Sequence, residues 1–296
     1  MGTIVALLLA LQEIPVEPIV QKGTLYLTSR VAELRKDPEF SLWILLSLDV
    51  QPADPAVRPL LEDALTRPPE TTRSAALQAM ALELLDPARY RSRIAHCAQF
   101  LLDNQCDDGR WDAGKPVEPP ALLLEPPKKP APRAFNAPAL PRVALARRMA
   151  GAKTGDSVNS RWAAWGLLAC HRSGMDFPVE FLIKAAASWR EGEHDPADLV
   201  SALPILQSLL QQRNWTKDKD ILKAVDRLAI REAPTDPASL FLLRRAMVQF
   251  GSLKLGGRDW WQDGVKVLAA AQAPDGGWGS IEDTCFATWY LHIQRK

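Results

Sequence analysis

The sequence carries one motif twice, as Gln105-Cys-Asp-Asp-Gly-Arg-Trp111 and as Gln272-Ala-Pro-Asp-Gly-Gly-Trp278. Each copy follows an apolar stretch with helical spacing. The glycine after the aspartate permits the left-handed turn that ends a helix, and the tryptophan can then fold back onto apolar surface. The glutamine is free to bond the loop backbone. The motif therefore predicts a structural staple that joins the end of one helix to the start of the next.

Asp-Pro pairs mark further helix starts along the chain. An aspartate at the N-cap accepts a hydrogen bond from a free backbone N–H, and proline is well tolerated at the first helical position. Almost no strand-like alternation occurs between the pairs, so helices are predicted throughout. The pairs are Asp37–Pro38, Asp54–Pro55, Asp86–Pro87, Asp195–Pro196 and Asp236–Pro237.

These signals predict about twelve helices, which form six hairpins, each near the size of a helical repeat. The fold class is therefore all-α. The predicted ranges are 16–36, 38–49, 55–66, 70–85, 88–105, 157–174, 178–190, 196–213, 218–231, 237–251, 259–273 and 281–294.

Composition indicates one globular domain. The chain has 296 residues, of which 47% are hydrophobic and 24% charged, and residues 16–296 can share one core. The formal net charge is +1, which argues against a broad nucleic-acid surface and against nucleic acid as a partner. The short basic clusters Arg147–Arg148 and Arg244–Arg245 are interpreted as solvated helix faces.

Two segments depart from this pattern. Residues 1–15 include an apolar run that resembles a signal peptide but follows no Lys or Arg, so an exported (periplasmic) and a cytoplasmic location both stay open. That run is too short to cross a membrane, and no other stretch is a transmembrane candidate. Residues 115–141 hold nine of the 24 prolines, so an irregular, poorly packed insertion without helix is predicted. A flap across the mouth of a ring is the alternative.

The repeated motif resembles the QW repeat of squalene–hopene cyclases and of the wider prenyltransferase/squalene oxidase repeat group. Residues 155–167, 240–251 and 256–286 also resemble that group, and especially its functionally uncharacterised bacterial members of planctomycete type. The resemblance implies an (α/α)6 toroid with two concentric layers of helices. The inner helices would be 38–49, 70–85, 157–174, 196–213, 237–251 and 281–294, and their N-termini would meet at one mouth.

Cyclases of this fold protonate an alkene with an Asp-x-Asp-Asp motif, which this chain lacks. The nearest segment is Ser280-Ile-Glu-Asp-Thr284, in which Glu282 would stand where the proton donor belongs, beside Asp283. A capping box formed by Ser280 and Asp283 explains the same residues structurally. Glu282 and Asp283 are the candidate catalytic residues.

Other residues at the starts of inner helices, or along them, are candidates for ligand binding. Asp156 and Asn159 precede or begin one such helix. Aromatic side chains on inner helices can either fill the core or face a ligand, and both interpretations stay open. The aromatic candidates are Trp162, Trp165, Phe286 and Trp289; Tyr290 belongs to the same group.

Metal and cofactor sites are not predicted. Asp283 and Cys285 resemble half of the zinc site of protein prenyltransferases, but two ligands make a weak site. The four histidines lack metal-ligand spacing, and the four cysteines form no Cys-x-x-Cys pair. No phosphate-binding loop or nucleophile elbow is present in the sequence.

These observations favour a non-catalytic binding or interaction module whose partner is an apolar small molecule or a protein. A divergent isoprenoid-handling enzyme with an acidic site at the mouth is the alternative. A glycan-active enzyme would need two facing carboxylates, for which Asp156 and Glu282 are the donors. An apolar cavity of about 300 Å³ or more that opens near Glu282 would favour catalysis.

Overall fold

Helices form almost all of the regular structure. The computed structural model describes residues 14–34, 37–47, 55, 58–121, 140–212 and 214–292. The predicted all-α fold of about twelve helices is confirmed. The helices are α1 (Val16–Ser29), α2 (Val31–Leu34), α3 (Pro38–Ser47), α4 (Arg58–Thr66), α5 (Thr72–Leu85), α6 (Arg91–Asp103), α7 (Ser157–Arg172), α8 (Val179–Ser188), α9 (Pro196–Leu209), α10 (Lys219–Ala229), α11 (Pro237–Phe250), α12 (Trp260–Ala271) and α13 (Ile281–Leu291).

Six of these helices contact one another in a closed circuit. Helix α3 packs on α5, α5 on α7, α7 on α9, α9 on α11, α11 on α13, and α13 returns to α3. They are the six helices predicted to lie inside. The others pack around them: α1 on α13, α4 on α3, α6 on α5 and α7, α8 and α10 on α9, and α12 on α11.

The inner helices run in the same direction. Residues near the starts of α3, α5 and α13 form one ion-pair cluster, and Arg161 near the start of α7 pairs with Asp198 near the start of α9. The last turns of α5, α7, α11 and α13 line one common cavity. The ring therefore has a start end, where the inner helices begin, and a finish end, where they stop.

The first copy of the repeated motif forms the predicted staple. The indole N–H of Trp111 donates to the carbonyl of Leu101 at 2.7 Å, so the ring lies back along α6. The backbone N–H of Trp111 donates to the hydroxyl of Ser160 at 3.0 Å, which joins the turn to α7. The side chain of Gln105 also donates to the carbonyl of Phe181 at 3.1 Å, and this bond reaches α8.

The second copy repeats these contacts elsewhere on the ring. The indole N–H of Trp278 donates to the carbonyl of Leu268 at 2.8 Å, and its backbone N–H donates to the hydroxyl of Thr284 at 3.0 Å. The side chain of Gln272 donates to the carbonyl of Ile19 at 2.9 Å. The second staple therefore ties α12 and α13 to α1.

The motif glycines are required by both conformation and space. Gly109 has φ 86° and Gly276 has φ 93°, which L-residues rarely adopt. A Cβ atom would lie 2.5 Å from the carbonyl oxygen of Lys184 at Gly109, and 2.5 Å from that of Lys22 at Gly276. Each turn is thus pressed against the backbone of the outer helix that its glutamine bonds.

Three of the Asp-Pro pairs begin helices as predicted. Asp195 and Asp236 cap α9 and α11, each accepting a 2.8 Å bond from a first-turn N–H, and Asp37 accepts from the N–H of Glu39 at 2.8 Å. The prediction for Asp86 was wrong: its carboxylate accepts from the N–H groups of a turn, and α6 begins only at Arg91. At the remaining pair, Asp54 lies outside the described residues.

The proline-rich segment is fixed where it leaves α6. Residues 115–121 and 140–141 contain no helix, as predicted, whereas 122–139 lie outside the described residues, as do 1–13 of the signal-like segment. Lys115 N–H bonds the side chain of Asn104 at 2.8 Å, and the carbonyl of Val117 bonds the ring of His96 at 2.7 Å. Farther on, β1 (Val143–Ala144) pairs in parallel with β2 (Met175–Asp176).

Candidate functional site

At the start end of the ring, one arginine and two glutamates form a cluster of ion pairs. The guanidinium of Arg73 on α5 lies 3.3 Å from a carboxylate oxygen of Glu39 on α3 and 2.5 Å from one of Glu282 on α13. Burial raises the pKa of Glu39 above its usual value, although Arg73 opposes this. Glu282 thus shares the guanidinium of Arg73 with Glu39.

Three other sequence candidates, Asp156, Asn159 and Asp283, take part in the helix caps at this end, either as the cap itself or as the first-turn residue that bonds it. The carboxylate of Asp156 accepts from the backbone and side-chain N–H groups of Asn159, both at 2.8 Å. The hydroxyl of Ser280 accepts from the N–H of Asp283 at 3.0 Å and donates to its carboxylate at 2.7 Å. In the order of the ring, α7 and α13 lie on opposite sides, so these caps belong to two separate places.

Aromatic side chains fill the centre of the ring. The ring of Trp43 on α3 is fully buried and lies edge-on to Trp162 at 5.2 Å, Phe286 at 4.7 Å and Trp289 at 5.8 Å between centroids. Phe241 on α11 completes the group at 6.4 Å from Trp43. We call these five residues the aromatic plug. The sequence placed three of them on inner helices but did not include Trp43 or Phe241.

A cavity of about 340 Å³ lies on the finish side of the aromatic plug. Every inner helix contributes to its lining, and Trp165 and Trp289 form part of the wall. Of the sequence candidates, these two tryptophans line the cavity, whereas Asp156, Asn159, Glu282 and Asp283 do not. The aliphatic part of its wall consists of Leu46, Met80, Leu84, Leu168, Ala169, Ile205 and Val248.

Two neighbouring arginines of α11 face this cavity. The interpretation of Arg244–Arg245 as a solvated helix face was wrong, since both side chains are only partly exposed. Arg244 donates to the carbonyl of His292 at 2.8 Å and to that of Trp289, so it caps the end of α13. The signal that could have shown this is the location of the pair in the middle of a predicted inner helix, where two adjacent side chains cannot both point to solvent.

Arg245 has a different environment. Its guanidinium carbon lies 4.6 Å from the ring centroid of Trp165 and 5.6 Å from that of Trp289. No described residue forms a hydrogen bond or a salt bridge with it. Burial lowers the pKa of Arg245, and the nearby charges of Arg244 and Arg172 lower it further, whereas Glu83 acts in the opposite direction.

Metal binding through Cys285 has no support in the geometry. The thiol is fully buried, and burial raises its pKa to about 12, which disfavours the thiolate that zinc requires. Across the described ranges, no three His, Cys, Asp or Glu side chains are grouped so that they could hold a metal ion. None of the described helices is long and apolar enough to cross a membrane.

In comparisons with known proteins, no family model matches the chain, and no curated protein sequence matches it.

Proposed function

We propose that this protein is a non-catalytic binding module that holds a small molecule in the cavity at the finish end of its helical ring. The observation that carries the proposal is the cavity itself. Its volume of about 340 Å³ lies within the range of ~300–1000 Å³ that is typical of small-molecule sites. Nine of its sixteen lining residues are apolar, two of them tryptophans, and the other seven are polar or charged.

The position of the candidate acids supports a binding function over catalysis. Glu282 and Asp283 lie at the start end, and the aromatic plug separates them from the cavity. Glu282 already bonds Arg73, and Asp283 already bonds Ser280. A divergent isoprenoid-handling enzyme is the alternative proposal, and it would need Glu282 to leave its ion pair and a substrate to displace the aromatic plug. The resemblance to the repeat group supports the ring architecture in either case.

The test blocks the cavity without disturbing the core. Val248 lies on its rim with 63% of its surface exposed, so Val248→Trp should be tolerated and should narrow the opening. Ile183→Trp is the matched control, because Ile183 is 52% exposed and lies on the outer helix α8. Octanol, octanoate and octyltrimethylammonium serve as probes, with dissociation constants measured by calorimetry.

We expect at least one probe to bind the wild type and the Ile183→Trp control, and to bind Val248→Trp at least roughly tenfold more weakly. Equal binding by all three proteins, or no binding of any probe, would contradict the proposal. Incubation with squalene and with prenyl diphosphates, followed by product analysis, tests the enzymatic alternative. Any cyclised or transferred product that depends on Glu282 would favour that alternative.

A further inference from the structure

Three arginines stack on tryptophans that fill or adjoin the centre of the ring. The guanidinium carbon of Arg73 lies 5.3 Å from the ring centroid of Trp43, and that of Arg161 lies 5.4 Å from the centroid of Trp165. Arg245 is closest, at 4.6 Å from the centroid of Trp165. Cation–π contact accounts for the stacking of all three side chains but satisfies none of their N–H donors.

The first two arginines each have carboxylate partners. Arg73 bonds Glu282 and pairs with Glu39, and Arg161 pairs with Asp198. Arg245, in the equivalent stacked position, has no carboxylate or carbonyl partner among the described residues. It also faces the cavity, which the other two do not. An anion delivered by a ligand would give Arg245 the partner that the protein gives to Arg73 and Arg161.

We therefore propose that the cavity ligand is an apolar molecule with one anionic group, such as a carboxylate, and that Arg245 binds this group. The inference rests on the proposed function, because it names the chemical class of the molecule that the cavity holds. The apolar part would lie along the aliphatic wall and beside the partly exposed Trp289. A guanidinium fork suits the two oxygens of a carboxylate.

The charges around the cavity select against a cationic ligand. Arg172, Arg244 and Arg245 line it together with Glu83 and His292, so cationic side chains outnumber the single carboxylate. Burial lowers the pKa of Arg245, and a bound anion would oppose this shift. Arg245 also occupies the tryptophan faces that an ammonium ligand would need.

The test compares the three eight-carbon probes on the wild type, Arg245→Met and Arg245→Lys. We expect octanoate to bind the wild type more tightly than octanol, and octyltrimethylammonium to bind most weakly. Arg245→Met should weaken octanoate by roughly ten- to hundredfold, the usual range for a lost charge-assisted hydrogen bond, and should leave octanol unchanged. Arg245→Lys should fall between the wild type and Arg245→Met. Circular dichroism verifies that each variant is folded.

The outcomes separate this inference from the proposed function. Equal binding of octanol and octanoate, with neither affected by Arg245→Met, overturns the anionic class and leaves the binding function standing. Inorganic sulfate that binds as tightly as octanoate overturns the apolar part of the inference. If no probe binds in a way that Val248→Trp weakens, the proposed function fails as well.

Discussion

The two ends of the ring use the same kinds of residues in opposite ways. At the start end, Arg73 bonds Glu282 and Glu39, and Ser280 caps α13. In both staples, the backbone N–H of the tryptophan also donates a hydrogen bond to a side chain in the first turn of an inner helix. At the finish end, Arg245 stacks on tryptophans beside the cavity, and no carboxylate of the described residues forms a salt bridge with it. The arginines of the first end pair with carboxylates, whereas Arg245 at the second end forms no such pair with a described residue.

This difference indicates where a ligand can bind. Carboxylates near helix N-termini are expected on stability grounds alone, because they complement the helix dipole and cap free N–H groups. A partly buried guanidinium without a partner has no such structural reason and carries a desolvation cost. The substitutions below should therefore destabilise the protein at the start end and not at the finish end.

The largest loss is expected for Trp278→Ala at the start end. The side chain is buried and bonds Leu268, and truncation of such a tryptophan typically costs about 3–5 kcal/mol. Thermal unfolding followed by circular dichroism should show a sharply lower Tm. Trp215→Ala is the control, since Trp215 is only half-buried and lies outside both staples, and it should cost less. An unchanged Tm for Trp278→Ala would show that the staple does not stabilise the ring.

Arg73→Met should have the next largest effect. It leaves Glu39 and Glu282 facing each other without a cation, and Glu39 is partly buried. All three side chains are about a third exposed, so solvent screening limits the expected loss to about 1–2 kcal/mol. Urea denaturation measures the difference. Adding Glu39→Gln and Glu282→Gln to Arg73→Met should recover part of the loss, and no recovery would argue against the charge cluster as its cause.

Glu282→Gln alone should cost less than about 1 kcal/mol. The amide keeps the shape of the side chain, Arg73 retains Glu39, and the replaced carboxylate is 39% exposed. The same denaturation series provides the measurement, with Glu62→Gln on α4, from an exposed pair with Arg58, as the reference. A loss of several kcal/mol would mean that Glu282 is a buried structural partner in solution.

Arg245→Met is expected to have the smallest effect on stability, or to raise it. Methionine fills a similar volume, and the substitution removes a charge that no described residue compensates through a hydrogen bond or a salt bridge. The free energy of unfolding should stay within about 1 kcal/mol of the wild-type value or exceed it, as is common for residues kept for function. A clear loss of stability would show that Arg245 supports the fold, and the contrast between the two ends would disappear.

The sequence predicted the features that depend on local chemistry. The caps at Asp195 and Asp236 and the turns at Gly109 and Gly276 lie where predicted, because each is determined by a few adjacent residues. Asp86 was predicted to be a helix cap because an aspartate carboxylate accepts bonds from the same backbone N–H groups in a turn as it does at a helix N-cap. The order of the helices around the ring also followed from their order in the chain.

The cavity and its arginine could not be predicted in this way. The sequence favoured the start end, where several carboxylates cluster, but those carboxylates are occupied by caps and by Arg73. Whether Arg245 has a partner depends on side chains from α5, α7 and α13, which are far away in sequence. No local pattern distinguishes Arg245 from Arg161, although, among the residues that the structure describes, Arg161 pairs with a carboxylate and Arg245 does not.

The second staple has a consequence for how the ring assembles. Its bond from Gln272 to Ile19 joins residues 253 positions apart, and α13 must arrive before α1 and α3 are covered. Leu27 and Trp43, both fully buried in the folded ring, lie on α1 and α3, two helices that α13 contacts. Contacts of such long range slow folding and leave apolar surface open to aggregation. The hairpin of α12 and α13 therefore closes the ring, and we expect the docking of this hairpin on α1 and α3 to limit the rate of refolding.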